Sequence, residues 1–372
     1  MFFLAALALA VAIFSVWRWR GRPLNKKISH EPPPSGKTDS AAAITPLKCF
    51  NWEQTPPDKH RPFKPVYHIT MAIQGSTPDD LVIMDSNYLD RVNERRETIK
   101  HHTPTVLGAV PEGIPALHET YTYLLGKYLP ARFPTMFALS QDGQEFYNKV
   151  TKTSLPLTPP EDPNAALQAL GETIEDDIFL LVETPEGHRA VAFICCHPAG
   201  FDPSDKLGKL LKDIHTSVPS YEKIGASMER FFSRLQVGKS VKRMNWSIST
   251  SERLFSPSGL HIYDGDKPQG DEEIDISKVC RPAFMPEGEL AANGIKTRLR
   301  QELQTLTRLP KTGAIMFSFK TYMTPLEEIK NEGIGPQVAD AIEGLRSGNA
   351  PGMWVYKGAT RWGKGACEYL RS

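Results

Sequence analysis

The chain is 372 residues long, enough for one large domain or two modest ones with a substantial core. Its 44 lysines and arginines nearly balance 43 aspartates and glutamates, so no global field draws in an acidic polymer and no nucleic-acid partner is expected. The five cysteines, Cys49, Cys195, Cys196, Cys280 and Cys367, are odd in number and scattered, which argues against a disulfide framework and suits a reducing compartment.

Residues 1–17, MFFLAALALAVAIFSVW, carry no charged side chain and are followed by Arg18, Arg20, Arg22, Lys26 and Lys27. Basic charge after the apolar run, rather than before it, keeps the following flank in the cytosol. The stretch therefore reads as a single N-terminal transmembrane anchor, with a signal peptide or a mitochondrial presequence as the competing readings. It spans roughly 25 Å at ~1.5 Å per residue, close to the thinner endoplasmic reticulum membrane. Residues 18–47, basic and then proline-rich (EPPPSG), cannot bury enough apolar surface to fold alone and read as a linker. A folded domain is expected over 48–372.

The first part of that domain is mostly helical. NYLDRVNERRETIKHH (87–102) predicts a charged helix, and ALHETYTYLLGKYLPARF (116–133) an amphipathic one with Tyr121, Leu124, Leu125 and Tyr128 on one side. After the proline-rich SLPLTPPEDP (154–163), DIFLLVE and HRAVAFICC read as a hairpin of two buried strands. PSDKLGKLLKDIH (203–215) predicts a helix N-capped by Ser204, with Leu207, Leu210, Leu211 and Ile214 in one stripe. A second helix follows over 221–235, directing Ile224, Met228, Phe231, Phe232 and Leu235 inward. KRMNWSISTS and KTGAIMFSFKTYM supply strands, IKTRLRQELQTLTRL (295–309) a long helix between them, and DGDKPQGDEEIDIS (264–277) an acidic surface loop. Antiparallel strands with helices on one face make an α+β fold.

Cys195-Cys196-His197-Pro198 lacks partners at zinc spacing, so two buried strand-end cysteines are the simpler reading. There is no phosphate loop, no dinucleotide fingerprint after a strand and no plant-type iron–sulfur run, so any electrons must come from elsewhere. His215 falls one turn after Leu211 at the edge of the apolar stripe. It is either a helix-end histidine complementing the dipole or a neutral imidazole able to coordinate iron through one nitrogen. Arg298, Arg300, Glu302, Gln304 and Arg308 form either a solvated, ion-paired face or the polar wall of a pocket. Asn245 alternates with Trp246 along a strand, and a buried asparagine needs partners.

Taken in order, DDIFLLVE, KLGKLLKDIHTSVPSYEKI, ERFFSRL, KRMNWSIS and RQELQTLTRLPKTGAIMFSFKTYMTPL resemble the haem-dependent oxidative N-demethylases, over roughly residues 65–330. The resemblance implies a PAS-like antiparallel sheet with flanking helices, after a helical N-terminal region. It also implies a b-type haem on His215 and oxidation of a small secondary amine such as dimethylamine with O2. Reducing power would reach it from a separate NADPH-dependent reductase whose flavin and iron–sulfur carriers lie on a partner, and tetrahydrofolate would accept the one-carbon unit. Glu302, Asn245 and Glu222 are the candidates to hold the amine, and Lys206, Arg243 and Arg300 to meet the haem propionates. The family pattern runs Glu-Arg-Gln-Thr-Leu where this chain has Glu302-Leu303-Gln304-Thr305-Leu306. The expected protein is thus an oxidoreductase anchored in the endoplasmic reticulum membrane and facing the cytosol. The alternatives are a non-catalytic haem or PAS-type sensor and a haem-free interaction protein.

Overall fold

A computed structural model describes residues 44–61, 63–262 and 297–372. The anchor expected at 1–17, most of the linker at 18–47 and the acidic loop at 264–277 lie outside the described residues. Among the described residues, no helix is long and apolar enough to cross a membrane.

The elements in chain order begin with β1 (Gln74–Ser76), α1 (Tyr88–Val106), β2 (Leu107–Ala109), α2 (Ile114–Tyr123) and α3 (Leu129–Arg132). Next come β3 (Phe137–Leu139), β4 (Glu145–Asn148), β5 (Thr153–Pro156), α4 (Pro163–Gly171), β6 (Asp177–Thr184) and β7 (Gly187–Ile194). Then follow α5 (Leu211–Ile214), α6 (Gly225–Arg234), β8 (Ser240–Ser249), β9 (Arg298–Arg308) and β10 (Ile315–Pro325). Four helices close the chain: α7 (Leu326–Asn331), α8 (Gly335–Glu343), α9 (Met353–Tyr356) and α10 (Ala359–Arg371).

The fold is α+β. Seven antiparallel strands pair in the order β1-β8-β9-β10-β6-β7-β2, and β3-β4-β5 form a separate small sheet. One face of the large sheet packs on α1, α2 and α4 through Ile178, Leu180, Val191 and Met316, meeting Tyr88, Leu117, Tyr121, Leu124, Leu125 and Tyr128. The other face takes α5 and α6 on Leu181, Leu306 and Ile315, with Met228, Phe232 and Leu235 turned inward as the apolar spacing requires. The C-terminal helices gather around Trp362, Ile342 and Leu370 and pack on Ile248 and Leu299.

Helices cover both faces of the large sheet, not one as expected, and two further expectations from the sequence are corrected. The stretch 295–309 is not a helix; its core is strand β9, paired with both β8 and β10. Leu299, Leu303 and Leu306 are spaced like a helical stripe, but a strand's two-residue period splits them, with Leu306 on the face opposite Leu299 and Leu303. Most of the polar residues between them, Arg300, Gln301, Glu302 and Thr305, are buried as well, which conceals the alternation. The helix expected over 203–215 is broken in two. A 3-10 turn over Pro203–Lys206 is capped by Asp202, whose Oδ1 accepts from Ser204 N at 2.9 Å, so the cap is Asp202 and not Ser204. Gly208 then takes φ +76°, and only Leu211–Ile214 remains helical.

Candidate functional site

Between the sheet and α5–α6 lies a cavity of about 290 Å³. Its floor is one face of four strands: Phe179 and Leu181 from β6, Phe317 and Phe319 from β10, Glu302, Gln304 and Leu306 from β9, and Arg243, Asn245 and Ser247 from β8. Cross-strand register explains the grouping, because Arg243 pairs with Gln304 and Asn245 with Glu302, so these four side chains share a face. The roof is His215, Tyr221, Ile224 and Met228, and the C-terminal part contributes Met353, Tyr356 and Lys357. Lys206, Phe201 and His261 complete the wall.

His215 caps α5. Its Nδ1 lies 2.8 Å from the carbonyl oxygen of Leu211, so Nδ1 carries the proton and Nε2 keeps its lone pair. Burial holds the imidazole below its ordinary pKa, with Lys206 and Arg243 acting the same way against the bond to Leu211, so the ring is neutral near pH 7. A neutral imidazole with one nitrogen fixed on a backbone carbonyl is the arrangement a metal ligand needs.

Glu302 sits in a polar corner. Its Oε2 accepts from Gln304 Nε2 at 3.0 Å and from Asn245 Nδ2 at 3.3 Å. Asn245 Oδ1 in turn accepts from Lys357 Nζ at 3.3 Å, and the same ammonium donates to the Trp246 carbonyl at 2.6 Å. Burial pushes the Lys357 pKa down to about 8, against the pull of Glu302 and with a further push from Arg243. Arg243 lies on the same face with its Nε buried and without a hydrogen-bond partner, and burial lowers its pKa against the attraction of Tyr67 and Glu302. An unpaired buried guanidinium nitrogen beside an aromatic cavity calls for an anionic group from a ligand.

Of the residues expected from the sequence, His215, Glu302, Asn245, Arg243 and Lys206 line this one cavity. Two do not. Glu222 is exposed in the 3-10 turn Tyr221–Lys223 and lines no part of the cavity, because its neighbour Tyr221 takes the inward position. Arg300 is 1% exposed and its guanidinium is already engaged by the carbonyls of His197 at 2.6 Å and Leu254 at 3.1 Å. It braces the chain after β7 instead of facing the cavity. Leu303, where the family pattern has arginine, is buried on the sheet face opposite Glu302, so that departure does not alter the cavity wall. Lys357 and Tyr221 were not singled out by sequence reasoning. Lys357 sits in a helical, surface-like string with no motif around it, whereas the Tyr221 position was legible as the residue after the proline turn.

The donor set fits a haem. One neutral histidine presents Nε2, Arg243 and Lys206 supply cations for carboxylates, and Phe179, Phe201, Phe317 and Phe319 give an apolar surface for a flat macrocycle. Cys195 and Cys196 take no part, since both are buried and engaged by Asp177, whose oxygens accept from the Cys195 thiol and the Cys196 amide. The family model described as haem-dependent oxidative N-demethylase, alpha subunit-like, matches residues 72–367, the span holding every cavity residue except Tyr67, Ile69, Thr70 and Met71, and the chain belongs to that family.

Proposed function

We propose that this protein is a haem-dependent oxidoreductase that demethylates a small secondary amine with O2, using electrons delivered by a separate reductase. The observation that carries the reading is the shared cavity: a neutral histidine with its Nδ1 tied to the backbone, and a carboxylate already holding two amide donors, line one apolar chamber. His215 would hold the iron through Nε2, and Arg243 and Lys206 would neutralise the propionates. Bound haem supplies the one-electron and O2 chemistry at its iron.

The chain's own residues orient the substrate. A secondary amine is a cation near neutral pH, and Glu302, with Oε2 occupied by Asn245 and Gln304, offers Oε1 to its N–H. That contact places the methyl groups among Phe179, Phe317 and Phe319 and gives the ammonium proton an acceptor. The mostly apolar lining lowers the local dielectric, which strengthens the ammonium–carboxylate attraction. The order of the five central strands, β8-β9-β10-β6-β7, with α5 and α6 inserted between β7 and β8, supports the PAS-like architecture. Electron supply from a flavin and iron–sulfur partner and transfer of the one-carbon unit to tetrahydrofolate rest on the family resemblance. A membrane location rests on the basic flank after the apolar opening, and a tagged protein released by carbonate wash would refute it.

The test is a visible spectrum of the protein expressed with haem supplementation, for wild type and His215→Ala. A Soret band that His215→Ala abolishes or shifts, followed by amine-dependent formaldehyde release with a suitable reductase, is expected. Well-folded wild-type protein without a Soret band sinks the reading. Haem binding without formaldehyde release from any small amine would leave a non-catalytic haem protein.

A further inference from the structure

The segment between α5 and α6 turns back on itself in two steps: Val218 N donates to His215 O at 3.0 Å, and Tyr221 N to Val218 O at 3.2 Å. The return lays the Tyr221 ring against the His215 ring, with centroids 4.8 Å apart and planes 7° from parallel. Behind Tyr221 stands Gly225, the first residue of α6; a Cβ there would lie 2.9 Å from Tyr221 Cε1 and 3.4 Å from Cδ1. The tyrosine ring is thus confined between an imidazole and a backbone with no room for a methyl group. Its hydroxyl donates to the Met228 sulfur at 3.8 Å.

An imidazole has two soft torsions, and one hydrogen bond at Nδ1 leaves the ring free to rock about the Nδ1···O direction. A parallel aromatic face removes that motion. We infer that Tyr221 is a positioning residue for the haem ligand, setting the plane in which His215 presents Nε2, with Gly225 as the spacer that lets the tyrosine ring lie flat. The inference rests on His215 being the iron ligand. It adds an outer contact of a kind that orients first-sphere ligands elsewhere, here made by stacking in place of a second hydrogen bond.

The experiment compares hemin binding to the full chain for wild type, Tyr221→Phe, Tyr221→Leu, Gly225→Ala and His215→Ala, with ferric electron paramagnetic resonance of each. Tyr221→Phe keeps the aromatic face and is expected to match wild type in hemin affinity and g-values. Tyr221→Leu keeps bulk but loses the face, and is expected to bind hemin about tenfold more weakly with shifted or broadened g-values. Gly225→Ala is otherwise favourable in a helix, so an effect in the same direction reports crowding of the tyrosine ring. The haem-free protein gives a second readout: the His215 Hε1 resonance should be shifted upfield by the stacked ring, and Tyr221→Leu should remove that shift while Tyr221→Phe retains it. Wild-type hemin affinity and g-values in Tyr221→Leu, with His215→Ala defective, would overturn the positioning role alone. Hemin binding that His215→Ala leaves untouched would overturn the haem-ligand reading and this inference with it.

Discussion

Lys357 donates to the side-chain oxygen of Asn245 and to the Trp246 carbonyl, and an ammonium has no acceptor to offer. It therefore fixes which end of the Asn245 amide faces Glu302: the nitrogen. That makes Glu302 the residue where charge, orientation and substrate meet. Glu302→Gln is expected to leave hemin binding intact and to weaken amine affinity roughly thirtyfold or more, the loss of about 2 kcal/mol for a charged hydrogen bond. The same change should move the Lys357 titration below pH about 8, because the carboxylate is what opposes burial there. Amine titration of the haem spectrum checks the first part, and pH-dependent NMR of labelled lysine the second; an unchanged Lys357 titration would uncouple the two groups. At this scale the sequence was informative where chemistry is local. His215 stood out beside its apolar stripe, and Asn245 by alternation against Trp246. Lys357 was invisible, since only the packing of the C-terminal helices brings it over the sheet.

The elements that position the site owe their geometry to interruptions that hydrophobic periodicity does not register. Gly208 breaks the expected long helix so that Leu210 can bridge to Arg189 on β7 and α5 can start afresh, which puts His215 at a helix end over the cavity. Its φ is +76° and no heavy atom lies within 4 Å of where a Cβ would stand, so backbone strain is the whole cost of adding one. Gly208→Ala should destabilise the fold by about 1–2 kcal/mol. Urea unfolding measures this directly, and a variant as stable as wild type would mean that the turn relaxes without strain. The misreading of β9 has a related cause. A helix stripe and a strand with both faces buried share short-range leucine spacings, and the deciding information is the pairing of β9 with β8 and β10, which is nonlocal. The hairpin of β6 and β7 and the strands β8 and β10 were legible because their β-branched and aromatic residues are not matched by any helical stripe.

For the molecule as a whole, the sheet separates two unlike interiors, and the one remote from the cavity carries a buried cluster of charge. Lys320 Nζ lies 2.7 Å from Asp85 and 3.0 Å from Glu175, and Arg95 is 2.5 Å from Asp177. Both cations are thereby committed, and neighbouring Asp176, 3% exposed, is left with an Oδ2 that has no partner. Burial pushes its pKa up from 3.8 to about 7, Glu175 and Asp177 adding to the rise while Lys320 and Arg95 oppose it. The folded chain therefore holds this proton more tightly than the unfolded chain. Between pH about 4 and 7 folding takes up a proton at Asp176, so its contribution to stability is full below pH 4 and is lost as pH rises through about 7. The loss is on the order of 4 kcal/mol. An asparagine imitates the neutral acid at every pH, so Asp176→Asn should gain on wild type by that amount as pH rises from 4 to 8. Urea midpoints for the two proteins across this range decide it. Parallel curves would mean that Asp176 is ionised in the folded state at neutral pH, and that Lys320 and Arg95 have charge to spare for a third carboxylate.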